Sequence, residues 1–157
     1  MTKLLLSLHV LAAIVAVGPV TVAASMFPPA VRRAALPEGD GGAAAELGTV
    51  RLLHRICRVY AGVGIAVPLL GLVTAQVMGV LGDTWLIVSI VLTAAAAGVL
   101  LVLVLPGQEG LVERLEGRGA VERSGTVRLA VLTGLFNLLW ATVTVLMIVR
   151  PGSTTGA

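Results

Sequence analysis

The chain has 157 residues; 57% are apolar, 12% are charged, and the formal net charge is +3. A soluble domain carries roughly 25% charged residues. This composition therefore excludes an ordinary water-soluble surface, and a mean hydropathy of +1.03 points to lipid as the solvent. The basic excess does not read as a nucleic-acid surface, because aromatics make up only 3% of the chain and none interleaves a basic cluster to offer a stacking platform.

The charges are clustered between four long uncharged runs, 4–31, 59–82, 84–108 and 129–149. About 20 apolar residues carry a helix across the ~30 Å hydrocarbon layer, and each run is long enough. None shows the two-residue alternation of a barrel strand. The expected fold is all-α: a four-transmembrane-helix bundle forming one integral membrane domain over 1–157. Its helices are expected at about 3–28, 50–80, 84–106 and 126–149, with connecting loops at 29–49 and 107–125.

The first run follows Lys3 and contains Thr21, Val22, Ala23, Ala24 and Ser25, small residues of the kind a signal peptidase accepts. Its apolar length exceeds the roughly 7–15 residues of a signal-peptide core, so it reads as a retained span. His9 lies about six residues into it, roughly 9 Å from its end at 1.5 Å per residue. It is the only ionisable side chain well inside any of the four runs. Ala12, Ala16, Pro19 and Ala23 make a small-residue strip on the same helix.

Pro29 closes the first run as Pro106 closes the third, 77 residues later. At that same offset the pentapeptide Gly-Thr-Val-Arg-Leu occurs twice, at 48–52 and 125–129, each time just before an apolar run. The pattern suggests two tandem helical hairpins related by an axis along the membrane normal; boundary chemistry reached twice without duplication gives the same signal. Thr49 and Thr126 fall where an N-cap or first turn is expected, and Arg51 and Arg128 fall at the headgroup level. Between the first two helices, 37–42 (PEGDGG) reads as a flexible turn.

On the second helix Gly64, Pro68, Gly71, Ala75 and Gly79 recur at helical spacing. Such a face lets helices approach closely in lipid. Pro68 should kink the helix and free the Gly64 carbonyl. The third helix offers Ser89, Thr93 and Ala97, and the fourth Thr133, Asn137, Ala141 and Thr144. Asn137 is a mid-span amide that wants a partner on another helix. Leu111, Val112 and Leu115 sit among Glu and Arg over 109–122, a pattern that suits a short amphipathic helix on the inner leaflet or a solvated linker. The tail after Pro151 is small and polar, with mobility expected.

Orientation follows from the arginines. Arg32, Arg33, Arg51, Arg55 and Arg58 lie between the first two helices, and Arg114, Arg118, Arg123 and Arg128 between the last two; the turn at 79–83 has no Lys or Arg. The positive-inside rule puts both long loops in the cytoplasm and both termini outside. Ten arginines against one lysine suggest a GC-rich bacterial source, hence a multi-pass protein of the bacterial cytoplasmic (inner) membrane. Anionic lipid headgroups are the expected counter-charge, and a second copy or another membrane protein the expected macromolecular partner.

Few side chains can carry chemistry. A histidine in hydrocarbon serves as a haem or metal ligand, a proton carrier, or a polar packing group. His54 falls at the inner boundary, roughly 20 Å or more from His9 along the normal of a ~30 Å core, and two axial ligands must meet at one iron. Met78, Gln76 and Met147 lie nearer the His9 level; of these Met78 is the ligand candidate, although methionine is more often a gap-filler. Asp83, in the outer turn, shares that depth and is a candidate proton-handling partner for His9. Cys57 is alone, so it has no disulfide partner. It is flanked by Arg55 and Arg58, which favour a thiolate, or it is a buried structural thiol. No metal-ligand cluster, nucleophile elbow or phosphate loop is present, and enzymatic activity stays undecided.

The opening helix, with Leu8-His9-Val10-Leu11-Ala12-Ala13 and a following Gly18, resembles those of small bacterial four-helix integral membrane proteins of no assigned activity. It is more distantly similar to CopD-type copper-resistance proteins and HemJ-type protoporphyrinogen oxidases. The resemblance implies a four-helix membrane fold and, at His9 alone, a haem b or copper ligand. The chain departs from those families in two places. It lacks their basic residue inside the later spans, and Ala16-Val17-Gly18-Pro19 replaces the CopD-type Trp-Val-Gly-Gly. The expected function is a scaffold, accessory or self-associating bundle; the alternative is a haem- or metal-binding redox protein using His9.

Overall fold

In hydrocarbon every backbone N–H and C=O must be satisfied within its own segment, which leaves the helix as the available form for long apolar runs. The computed structural model describes residues 2–36 and 40–152 and shows six α-helices among them: α1 (Thr2–Ala34), α2 (Asp40–Val63), α3 (Ala66–Met78), α4 (Thr84–Gly98), α5 (Leu105–Glu116) and α6 (Arg123–Val149). A π-helical segment, Val99–Val104, joins α4 to α5 without a break. α2 with α3, and α4 with α5, each form one long rod, so four helices are long and apolar enough to cross a membrane. The fold is an all-α four-helix bundle. Both arginine-rich connections lie at one end; the Asp83 turn and the last turn of α6 share the other, where the Arg150 guanidinium sits 5.8 Å from the Trp85 ring centroid.

The rods overrun the expected helix ends at the arginine-rich side. α1 passes through Pro28 and Pro29 to Ala34 instead of stopping near 28, because Ala30 and Val31 are fully buried beyond the prolines. α2 begins at Asp40 rather than 50, since Ala43, Ala44, Ala45, Glu46 and Leu47 are good helix formers. The expected turn at 37–42 is helical backbone from Asp40 onward, and 37–39 lie outside the described residues. The third rod continues to Glu116, so α5 does not lie apart on a membrane surface: it extends the span and buries Leu111. The fourth starts at Arg123. Of the tail after Pro151, 153–157 lie outside the described residues.

The two Gly-Thr-Val-Arg-Leu copies occupy different environments. Thr49 is nine residues into α2 and donates to the Ala45 carbonyl at 3.2 Å, a mid-helix bond rather than a cap. Thr126 is in the first turn of α6 and donates to the Arg123 carbonyl at 2.9 Å. The first copy buries its valine, Val50; the second buries Thr126 and Leu129 and exposes Val127. The shared string is thus rotated relative to the core between its two positions.

Packing is uneven along the bundle. A core of Phe27, Ala30, Val31, Val50, Cys57 and Val104 is fully buried toward the arginine-rich end. Two exposed ion pairs lie at this end, Arg51 Nε to Glu116 Oε1 at 2.8 Å and Arg33 Nε to Glu46 Oε2 at 3.5 Å, each worth no more than about 1 kcal/mol. Toward the Asp83 end, α3 packs on α1 and α4 packs on α6, while α3 and α4 barely touch each other. Only a small cluster of Ala75, Trp85 and Leu86 forms there.

Both irregularities in the rods trace to proline. Pro68 has no N–H for the Gly64 carbonyl, and the helix tightens: Val67 N–H donates to that carbonyl at 3.1 Å and Ile65 N–H to Gly62 at 3.2 Å. The expected free Gly64 carbonyl is therefore satisfied by a three-residue turn, and α2 separates from α3 at Gly64 and Ile65. Pro106 removes a donor from the third rod, and the helix widens instead, with the Leu105 N–H reaching back to the Leu100 carbonyl.

Gly79 is not part of a packing face. It ends α3 at φ +71°, with N–H groups returning to Ala75 and Gln76. An L residue in that conformation costs about 1 kcal/mol or more. Gly79→Ala should lower unfolding free energy in detergent by that amount, while Gly82→Ala in the same turn, at an ordinary φ with open space around it, should change it little. Equal effects at the two sites would refute the assignment.

Candidate functional site

His9 is 7% exposed, on the face of α1 that meets α3. Its ring lies against Gly71: a Cβ built there would stand 2.9 Å from His9 Cε1 and 3.4 Å from Nδ1. The Val67 backbone is its polar neighbour, and Nδ1 is buried without a hydrogen-bond partner. Of the small-residue face expected on the second helix, Gly71 thus has a defined job, to admit an imidazole. Ala75 is buried, Gly64 lies at the helix break, and Pro68 is exposed.

The other residues considered as partners of His9 lie elsewhere. The Asp83 carboxylate accepts the Trp85 indole N–H at 2.9 Å, and Trp85 in turn lies under Arg150, so the expected His9–Asp83 pair is replaced by a clasp on the chain's last helix. Met78 is seven residues beyond Gly71, about 10 Å further along the rod. His54 is 17 residues before it, about 25 Å away. Among the described residues no three His, Cys, Asp or Glu side chains converge. Gly71 closes the Cε1 side of the His9 ring. In this arrangement the buried Nδ1 has no open side for the iron of the haem that the opening helix implies.

A second polar cluster lies at the arginine-rich end. Gln108, on α5, is fully buried and bridges two residues of α2: its Oε1 is 3.1 Å from His54 Nδ1, and its Nε2 donates to Cys57 Sγ at 3.5 Å. With the amide oxygen accepting, the His54 tautomer carries its proton on Nδ1. His54 and Cys57 share a helix face by their i, i+3 spacing. Gln108 is the residue that sequence reasoning missed; the available signal was an amide at the very end of an uncharged run. The bridge closes the α2–α5 seam and leaves Cys57 a buried structural thiol.

Asn137 does what a mid-span amide is expected to do: its Nδ2 donates to Ser25 Oγ on α1 at 3.2 Å. Thr74, Ser89 and Thr93 each donate to a carbonyl one turn back in their own helix, at 2.7, 2.8 and 2.7 Å. The expected headgroup arginines Arg32, Arg55, Arg58 and Arg128 are exposed and have no acidic partner among the described residues, while Arg33 and Arg51 are held by Glu46 and Glu116. Counting back from the Asp83 end at 1.5 Å per residue, Arg58 and Arg128 lie about 31 Å along their rods and Arg51 about 42 Å.

Between the two helix irregularities is an apolar chamber of about 140 Å³. Gly64, Ile65 and Pro68 line one wall, Ala97 and Leu101 the other, with Trp140 behind. Because α3 and α4 barely touch, the chamber opens sideways. No protein-family model matches the chain, and no curated protein or solved structure matches it either.

The His9–Gly71 contact is directly testable. Gly71→Ala should destabilise the protein by about 1–3 kcal/mol, as overpacking does, and should lose most of that cost in a His9→Ala background, since residues in contact are not additive. A full, additive penalty in the double variant, measured by unfolding in detergent, would show that the ring does not occupy that space.

Proposed function

We propose that this is a multi-pass accessory protein of the bacterial cytoplasmic membrane that works by association inside the bilayer, with lipid or with another membrane protein, rather than by catalysis. The observation that carries this reading is the disposition of polar groups in the spans. Asn137, Thr74, Ser89 and Thr93 are bonded to the protein itself, whereas the chamber is apolar and faces sideways. A reaction centre needs convergent polar groups around a substrate; at the chamber only Thr93 and Tyr60 are polar, and the Thr93 hydroxyl is taken up by the Ser89 carbonyl. The arginine distribution supports an orientation with the Arg51–Glu116 end in the cytoplasm.

A second reading, in which His9 ligates haem or a metal, is favoured by one observation, the buried Nδ1 without a partner. Ligation through that Nδ1 requires α3 to separate from α1. An absorption spectrum of the detergent-purified chain from haem- and copper-supplied cells distinguishes the two: colourless, metal-free protein is expected, and a Soret band lost in His9→Ala would replace the accessory reading with the redox one.

Orientation has its own test. In a Cys57→Ser background, Gly82→Cys should react with a membrane-impermeant maleimide on intact cells, and Ser124→Cys only after permeabilisation. The reverse pattern would invert the topology.

A further inference from the structure

We propose that the lateral chamber takes one acyl chain of an anionic phospholipid from the arginine-side leaflet, with the lipid phosphate on Arg58. The proposal rests on the accessory reading and names what associates.

Four observations converge on it. The chamber is walled by mostly apolar side chains, with Tyr60 and Thr93 the polar exceptions, and is open where α3 and α4 part, so its entrance faces lipid. Its volume of about 140 Å³ is too small for a helix, whose diameter with side chains is about 10–12 Å, but suits part of a single chain. Alongside α1 and α6, its walls include both places where the rods lose regular winding, the Gly64–Ile65 break and Leu100 and Leu101 of the π segment, and π-segments are frequent at functional sites.

The fourth observation is charge complementarity along one helix. Ala61 lines the chamber, and Arg58 is three residues further toward the arginine-rich end, about 4.5 Å along the axis. Arg58 is exposed and has no acidic partner among the described residues. It also lies about 31 Å from the Asp83 end, which is headgroup depth. A phospholipid with its phosphate at Arg58 has its acyl chain running down past Ala61, Gly64 and Ile65. No net positive charge lies at the chamber itself, so the neutral tail and the charged head each meet a surface of matching character.

The test uses the full-length chain in phosphatidylcholine nanodiscs doped with phosphatidylglycerol that carries a diazirine midway along one acyl chain. After photolysis, peptide mapping should place insertions mainly in 60–68 and 93–101. Arg58→Gln should reduce that labelling about fivefold, the equivalent of ~1 kcal/mol per basic residue at an anionic surface. The same diazirine on phosphatidylcholine should label the chamber correspondingly less. Ala97→Phe, which fills the chamber, should abolish insertion there while leaving labelling near the lipid-facing Val131 and Ile148 intact, which shows that the variant is folded. Insertion spread evenly over exposed faces, equal labelling by the two lipids, indifference to Arg58→Gln, or cross-links between two copies at the chamber would each overturn the proposal. Those failures leave the accessory reading standing; that reading fails separately, on a His9-dependent cofactor spectrum.

Discussion

Two of the prolines inside the rods, Pro68 and Pro106, coincide with changes of helical winding, and much of the bundle's shape follows from how the chain makes up for those two missing donors. Lipid offers no water to a carbonyl stranded by a proline; α1 carries Pro19, Pro28 and Pro29 within regular α-helix, whereas the second and third rods rewind. At Pro68 the answer is a tighter turn, with Val67 donating to Gly64. At Pro106 it is a wider one, with Leu105 donating to Leu100. One rod narrows and the facing rod swells within the same stretch of the bundle. Neither then runs straight alongside its neighbour, and the chamber between Gly64 and Ala97 is the space left over.

That arrangement divides the molecule into a firm end and a loose one. On the arginine-rich side, α2 and α5 are drawn together by the buried Gln108 amide and by the Arg51–Glu116 pair. The buried bridge matters more than the exposed ion pair, because breaking it would leave polar atoms unpaired in a dry core. On the other side, α3 leans on α1 through His9 and Gly71, and α4 leans on α6. No comparable hydrogen bond links α3 to α4 among the described residues; what joins them is the small apolar cluster of Ala75, Trp85 and Leu86, separate from the core around Phe27 and Val104.

Legibility in the sequence followed the range of the interaction. Span number and class were readable from the uncharged runs, since hydrophobic length is a local property. Helix ends were not: burial of Ala30 and Val31 carries α1 through two prolines, and only tertiary packing supplies that burial. Gly71 and Gly79 looked alike on a helical strip, yet one admits an imidazole and the other ends the helix at φ +71°. Periodicity cannot tell a glycine needed for space from one needed for its backbone angle. The Gln108 bridge spans more than fifty residues of sequence, and no spacing rule reaches that far. The repeated pentapeptide misled for the opposite reason: identical residues met different neighbours, and the neighbours decided which of them were buried.

His9 shows how the same reasoning separates ligand from packing group. An unpartnered buried nitrogen is expensive to keep in hydrocarbon, which makes His9 the natural suspect for cofactor binding. Yet a ligand histidine must present its nitrogen to an open position, and this ring packs its Cε1 side against a glycine with its Nδ1 enclosed. A glycine opposite a histidine is informative in both readings, because it makes room either for the ring or for something beyond it. Here the ring itself takes the room. The open space lies instead at mid-depth, lined mostly by apolar side chains, while the Asn137 amide and the Thr74, Ser89 and Thr93 hydroxyls donate within the protein's own helices.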